Sequence, residues 1–212
     1  MTNSTNLHLQ EVLGQNRLDI LDNLTKLKNM WFVLWWWTAL ALIFWHRESI
    51  DFDFFINEDI DTNQLFEKCL DIFQWYELIK TYEEKNTLYL LINDVKISFF
   101  TYKHKNIWRL IETDYFNIFS VDDISAMKMW AIQNRATNKD YVDIYYIIKE
   151  IGLDRLLDNF FKKFWNVVSK TYLLKSLVYF DDIVEEKLII KDPNLNFDDV
   201  KKYLVDVVTK SK

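Results

Sequence analysis

Ile50-Asp51-Phe52-Asp53-Phe54-Phe55 alternates apolar and acidic residues before becoming wholly apolar. Successive side chains of a strand point to opposite faces, so the pattern predicts a strand with Asp51 and Asp53 on one side and Phe52 and Phe54 on the other. Alternate positions on one face lie a little under ~7 Å apart, close enough for both carboxylates to hold one or two Mg²⁺ ions that bridge nucleotide phosphates. Two solvated acids on an edge strand give the same short pattern, so the neighbouring residues decide between the readings.

Upstream, residues 30–45 form a run of sixteen residues broken only by Thr38, followed at once by His46, Arg47 and Glu48. A spanning helix needs about 20 apolar residues, and tryptophans in the middle of a run are not an interfacial belt. We therefore expect a buried strand over 32–36, a turn near Trp37-Thr38 and a short buried helix over 39–45, with no membrane span. Before this run, apolar residues from Leu9 to Leu27 approximate a helical stripe and predict one amphipathic helix.

Downstream, a helix is expected over 64–75. Strands follow over 87–92 and 95–102, which are rich in β-branched and aromatic residues. The second half changes character. Ser120 with Asp123 reads as a capping-box-like start to a helix over 121–134, followed by helices over 140–151, 153–164, 171–180 and 197–208, the last capped near Asn196. A mixed first part followed by helices is an α+β pattern.

Only two glycines and one proline occur in 212 residues, so tight turns fall to Asn and Asp, with Asn86-Thr87 and Asn93-Asp94 as the expected sites. A single cysteine, Cys69, excludes an internal disulfide framework and a Cys-rich zinc site, and His8, His46 and His104 are too scattered to form a histidine metal site. The formal charge of −6 argues against non-specific coating of nucleic acid, which needs many Lys and Arg against phosphates. The polar start of the chain carries no secretory signal pattern, so a cytoplasmic location is expected.

Four stretches, in order, carry a resemblance. Thr38-Ala39-Leu40-Ala41-Leu42 with His46-Arg47-Glu48-Ser49-Ile50-Asp51-Phe52-Asp53 resembles the first motif of the AbiEii/AbiGii toxin family of nucleotidyltransferases. Val95 to Phe100 resembles its central strand. Asp122 to Lys128, continuing through Arg135 to Tyr145, resembles its helical motif, and Leu177 to Asp182 its C-terminal helix. The resemblance implies a polymerase-β-like nucleotidyltransferase core, a small mixed sheet with flanking helices, over residues 1–119. A helical region over 120–212 would complete the active site. It further implies Mg²⁺-dependent transfer of a nucleotide from a nucleoside triphosphate to an RNA acceptor such as tRNA, with a cognate antitoxin encoded nearby.

Carried over by position, Asp51 and Asp53 are metal ligands and catalytic, and Lys128 faces the triphosphate. Asp140 or Asp143 is the further acid of the helical motif, as base or support. Thr38, Arg47, Ser49, Arg135 and Lys139 bind the nucleotide. The pattern breaks at Trp36 and Trp37, where the family has two small residues. Glycine there lets backbone N–H groups approach a triphosphate, so indoles are expected to take the phosphate's space, and Trp37 to resist a positive φ. Trp45 likewise stands where relatives carry Gly, and Ser98 where many nucleotidyltransferases carry a third carboxylate. These departures set up the rival reading, a catalytically impaired protein of the same fold that acts through a protein partner.

Overall fold

The computed structural model describes residues 7–49, 51–104, 106–134, 136–165 and 168–211. They form an α+β arrangement in two compact units. The first comprises Met1–Trp45, Ser49–Lys105 and Arg109–Phe119; the second comprises His46–Glu48, Asn106–Trp108 and Ser120–Lys212.

In the first unit, the stripe read as one helix is three short ones: α1 (Leu9–Val12), α2 (Gln15–Leu18) and α3 (Leu21–Lys28). Gly14, extended at the N-cap of α2, interrupts the periodic run. Strand β1 (Val33–Leu34) follows, and then α4 (Trp36–Phe44). The expected turn at Trp37-Thr38 is therefore absent: Trp36 and Trp37 lie in the first turn of α4, and the chain bends one residue earlier, at extended Trp35. Ala39, Leu40, Ala41 and Leu42 have no exposed surface. No helix among the described residues is long and apolar enough to cross a membrane.

The sheet continues with β2 (Phe52–Ile56), then α5 (Thr62–Ile72), capped by the Asp61 side chain. Strands β3 (Leu78–Glu84), β4 (Thr87–Ile92), β5 (Val95–Thr101), β6 (Ile111–Glu112) and β7 (Asn117–Ile118) complete a seven-stranded mixed sheet ordered β3-β4-β5-β2-β1-β7-β6. β2 runs parallel to β5 with Asp53 opposite Ser98, and antiparallel to β1. The edge strand β3 was not expected from sequence, because six of its seven residues are exposed and its polar pattern carries no apolar face.

Asn93 (φ 44°) and Asp94 (φ 65°) join β4 to β5 as a two-residue turn with both residues left-handed, the geometry that matches strand twist. Asn86 (φ 62°) serves the β3–β4 turn. Asp94→Gly is expected to stabilise the protein by about 0.5–1 kcal/mol, because it removes a Cβ from a left-handed position. Calorimetry should record a rise in Tm of about 1–4 °C. Two tryptophans also hold positive φ: Trp31 (66°) and Trp45 (50°), the latter closing α4 with its N–H on the Ala41 carbonyl. Trp45 occupies a glycine-like C-cap and stacks on the His8 ring at 5.6 Å.

The second unit holds α6 (Val121–Asn134), α7 (Asn138–Ile151), α8 (Leu153–Lys163), α9 (Lys170–Leu177) and α10 (Phe197–Lys210). α6 packs against α7, α8 and α9. The Ser120 hydroxyl accepts the Asp123 N–H, and reciprocal capping boxes open α7 (Thr137 with Asp140) and α10 (Asn196 with Asp199). α9 ends three residues before the expected 180, where the buried Tyr141 hydroxyl donates toward the carbonyls of Ser176 and Tyr179. Gly152 joins α7 to α8 at φ 82°, ψ 158°, a conformation open essentially only to glycine.

Candidate active site

The alternation around β2 sends its residues to two faces. Phe52 and Phe54 are fully buried on one, while Asp53 is half-buried on the other with Asp51 just before the strand. Burial pushes the Asp53 carboxyl up to about 6; the charge of Asp51 adds to this, and the Ser98 hydroxyl and Lys96 ammonium oppose it. Ser98 is 1% exposed, faces Asp53 from β5 and stops short of a closed hydrogen bond, which leaves its oxygen without a partner. On the next strand Tyr89 pairs with Ser98, and burial followed by the Asp53 charge raises its phenol above the ordinary value.

Two contacts fix the pair. The Trp35 N–H donates to the Asp53 carbonyl at 2.6 Å. The buried Thr38 hydroxyl donates to the Asp51 carbonyl at 2.5 Å and lies 2.8 Å from the Ser49 hydroxyl. Thr38 and Ser49, expected to bind nucleotide, thus tie α4 to the start of the acidic strand. Trp37 is 37% exposed and helical, so it makes no demand for positive φ.

Two half-buried carboxylates side by side favour a counter-ion, since each holds the other's charge in a poorly solvated place. Among the described residues no group of three or more His, Cys, Asp or Glu is arranged to hold a metal ion. The donor set is therefore two carboxylates with one partnerless hydroxyl. All are oxygens, which fits a hard divalent cation that keeps several waters.

The second unit gathers the other predicted residues around one carboxylate. Asp143 on α7 has no exposed surface and takes Arg47 Nε at 2.7 Å and Nη2 at 3.0 Å, His46 Nε2 at 2.6 Å and Lys128 Nζ at 2.5 Å. Burial alone would raise its pKa, but the charges of Arg47 and Lys128 and the hydrogen bonds from His46 and Arg47 hold it well below the usual carboxylate range. Burial lowers His46 despite Asp143, so the ring is neutral near pH 7 and Nε2 carries the proton that the carboxylate accepts. Lys128, fully buried, also donates to Asp140 Oδ1 at 2.8 Å, while Asp140 Oδ2 accepts the Thr137 N–H and hydroxyl. Lys139 pairs with Glu186 at 2.9 Å. Arg135 lies outside the described residues.

A second buried acid was read from sequence only as a helix-start residue. Asp123 accepts the N–H groups of Ile107 and Trp108 at 3.2 and 3.0 Å and pairs with buried Lys163 at 2.7 Å. No sequence signal distinguishes it from an ordinary first-turn acid, because its partners are 15, 16 and 40 residues away.

A family profile described as "Nucleotidyl transferase AbiEii toxin, Type IV TA system" matches residues 38–206, from Thr38 through both acidic clusters into α10. The chain belongs to the AbiEii nucleotidyltransferase toxin family. Aquifex aeolicus (strain VF5) has an uncharacterised protein, aq_aa25, that is 32% identical over 156 residues, covering 70% of this chain and 73% of that one. In structure, JHP933 from Helicobacter pylori superposes with a TM-score of 0.57 at 14% identity, covering 93% of this chain and 92% of its own. MenT4, a nucleotidyltransferase toxin from Mycobacterium tuberculosis H37Rv, gives 0.55 at 13% identity, covering 89% and 81%. The AbiEii profile begins at Thr38, two residues past Trp36, so the two tryptophans lie just outside the matched region. The fold is that of nucleotidyltransferases, and membership of a type IV system implies an antitoxin as partner and a nucleotide as substrate.

Proposed function

We propose that the chain transfers a nucleotidyl group from a nucleoside triphosphate to an RNA acceptor, with tRNA the first candidate, and that Asp51 and Asp53 are the catalytic residues. The observation that carries the reading is the pair itself: two carboxylates on one strand face, with a partnerless buried hydroxyl across from Asp53. Asp51, Asp53 and Ser98 would hold Mg²⁺, which when bound offsets negative charge on the triphosphate. In the reaction, an acceptor hydroxyl oxygen bonds the α-phosphorus, the bond to the bridging oxygen breaks, pyrophosphate leaves and the hydroxyl proton passes to solvent. Thr38 and Ser49 hold the carboxylates in place through the Asp51 carbonyl.

Lys128, Asp140, Asp143 and Arg47 are read as support. Each is consumed by its buried neighbours, and their work is to fix α7 against α6 and the 46–48 segment. Lys139 and Arg135 are proposed to meet phosphate. The type IV family supports an antitoxin as partner, and the proposal adds that it is encoded beside this chain and that both act in the cytoplasm.

The test is incubation with labelled nucleoside triphosphates, Mg²⁺ and total RNA. Label should enter RNA with the wild type and fail to enter with Asp51→Asn; equal incorporation by both would refute the site. A rival reading, a silent fold that works through a protein partner, draws on the tryptophans at the first turn of α4. Under it the wild type transfers no faster than background, and the Trp36→Gly, Trp37→Gly double variant rises about tenfold or more above that background. That gain corresponds to about 1.4 kcal/mol of restored triphosphate contact at the helix N-terminus.

A further inference from the structure

The sheet face that carries Asp53 also carries a continuous row of rings. Strand alternation puts Phe55 two residues beyond Asp53 and Phe100 two beyond Ser98, and the register pairs Phe55 with Phe100 and Ser98 with Tyr89. The rings touch in sequence. Trp35 stacks on Phe55 at 3.4 Å, Phe55 on Phe100 at 4.9 Å, Phe100 meets Tyr89 at 5.4 Å and Tyr89 meets Tyr82 at 5.1 Å. Tyr102 closes the near end, 4.9 Å from Trp35. The hydrophobic core lies on the opposite face, where Phe54, Leu88, Leu90, Ile97 and Phe99 have no exposed surface. Phe55, Tyr89, Phe100 and Tyr102 are instead half-buried, and Tyr82 is 45% exposed.

A row of partly exposed rings across four strands, running outward from buried Trp35, stabilises the sheet through cross-strand pairs, and that alone would account for it on a remote surface. This row is not remote. It begins one alternate strand position, ~7 Å, from the carboxylate pair. The exposed Lys96 side chain places its ammonium over the Tyr89 ring at 5.3 Å on the same face. Flat rings beside a cation are the chemistry that holds unpaired bases, since every base has a π face and a base–aromatic stack contributes ~1–3 kcal/mol. A base-paired duplex offers its bases only edge-on.

We propose that this row is a stacking surface for unpaired bases of the RNA acceptor, next to the carboxylates at which its hydroxyl reacts. The proposal rests on the transfer reading above and adds that the acceptor end is single-stranded.

The test uses the full chain, with binding of a labelled ten-nucleotide single-stranded RNA followed by fluorescence anisotropy in Mg²⁺. A blunt duplex of equal length and ATP, the latter by calorimetry, provide the comparisons. Phe100→Leu and Tyr89→Leu keep apolar bulk and remove the π face, and each is expected to weaken the single strand about tenfold. The duplex should bind more weakly than the single strand, and ATP affinity should not change. Tyr82→Ala, on the exposed edge, carries the test if a leucine variant melts without cooperativity, and a fewfold weakening is expected. Single-strand affinity unchanged within twofold in all variants would overturn the proposal, as would a duplex that binds equally well. Loss of ATP binding with RNA binding intact would assign the rings to the incoming nucleotide and also overturn it. The two readings separate cleanly: Asp51→Asn addresses transfer without touching a ring, whereas the leucine variants address RNA binding without touching a carboxylate.

Discussion

Asp143→Ala is expected to destabilise the protein by about 3–5 kcal/mol, a large share of the roughly 5–15 kcal/mol that holds a typical domain folded. The side chain lies with no exposed surface among Arg47, His46 and Lys128. Removing it takes from the buried Arg47 guanidinium the carboxylate that accepts its Nε and Nη2, and from buried Lys128 one of the carboxylates it pairs with, Asp140 remaining. That uncompensated desolvation, more than any lost attraction, sets the size of the effect. Replacing Arg47→Met together with Asp143→Leu, which keeps the Lys128–Asp140 pair, should be much milder, because the guanidinium and the carboxylate that compensate one another go together. Urea unfolding of the three proteins checks this. A single variant within 1 kcal/mol of the wild type would show that the cluster does not hold the unit together. The pH dependence has a definite sign. Asp143 is ionised well below the ordinary range when folded, so its contribution is present above about pH 4 and is lost as pH falls through that value toward its folded pKa.

Asp53→Asn should do the reverse to stability while abolishing chemistry. Folding raises the Asp53 carboxyl from 3.8 to about 6. The contribution of this group is thus favourable below pH 4 and is lost as pH rises to about 6, so at neutral pH the charged carboxylate opposes folding. Asparagine removes that charge and should stabilise the metal-free protein by about 2 kcal/mol at pH 7.5, with the gain shrinking to nothing near pH 4. Transfer should fall by about 10²–10³-fold or more, and Mg²⁺, which is expected to raise the Tm of the wild type, should leave that of the variant unchanged. A variant that is less stable than the wild type at pH 7.5, or one still stabilised by Mg²⁺, would remove Asp53 from the metal site. Function here draws on an arrangement that the fold alone would not favour.

These two acids also mark how far the sequence could be read. Asp53 was legible because its strand alternates, a local property of period two. The helices of the second half were legible for the same reason: Ser120, Asp123, Asn196 and Asp199 announce helix starts within four residues of chain. Asp143 was visible as a candidate, but its partners were not, since Arg47 and His46 are 96 and 97 residues away and nothing local relates them. Lys128 was assigned to the triphosphate by its position in the helical motif; its two buried carboxylate partners on α7 lie 12 and 15 residues along the chain and carry no local mark. The tryptophans misled in a third way. Bulky residues before Thr38 suggested a strained turn, whereas α4 starts earlier and absorbs them as ordinary helical positions, and the left-handed backbone falls on Trp31 and Trp45 instead.

The three residues His46–Glu48 sit between α4 and β2 in the chain yet belong to the second unit. During synthesis the guanidinium that the second unit needs is therefore made early, and the carboxylate that neutralises it follows 96 residues later. A polypeptide released by the ribosome before α7 cannot close that cluster, and a separately expressed piece starting at Ser120 lacks its arginine. The helical unit is therefore discontinuous in the chain, and its buried charge balance closes only once residues 46–48 and α7 are both present.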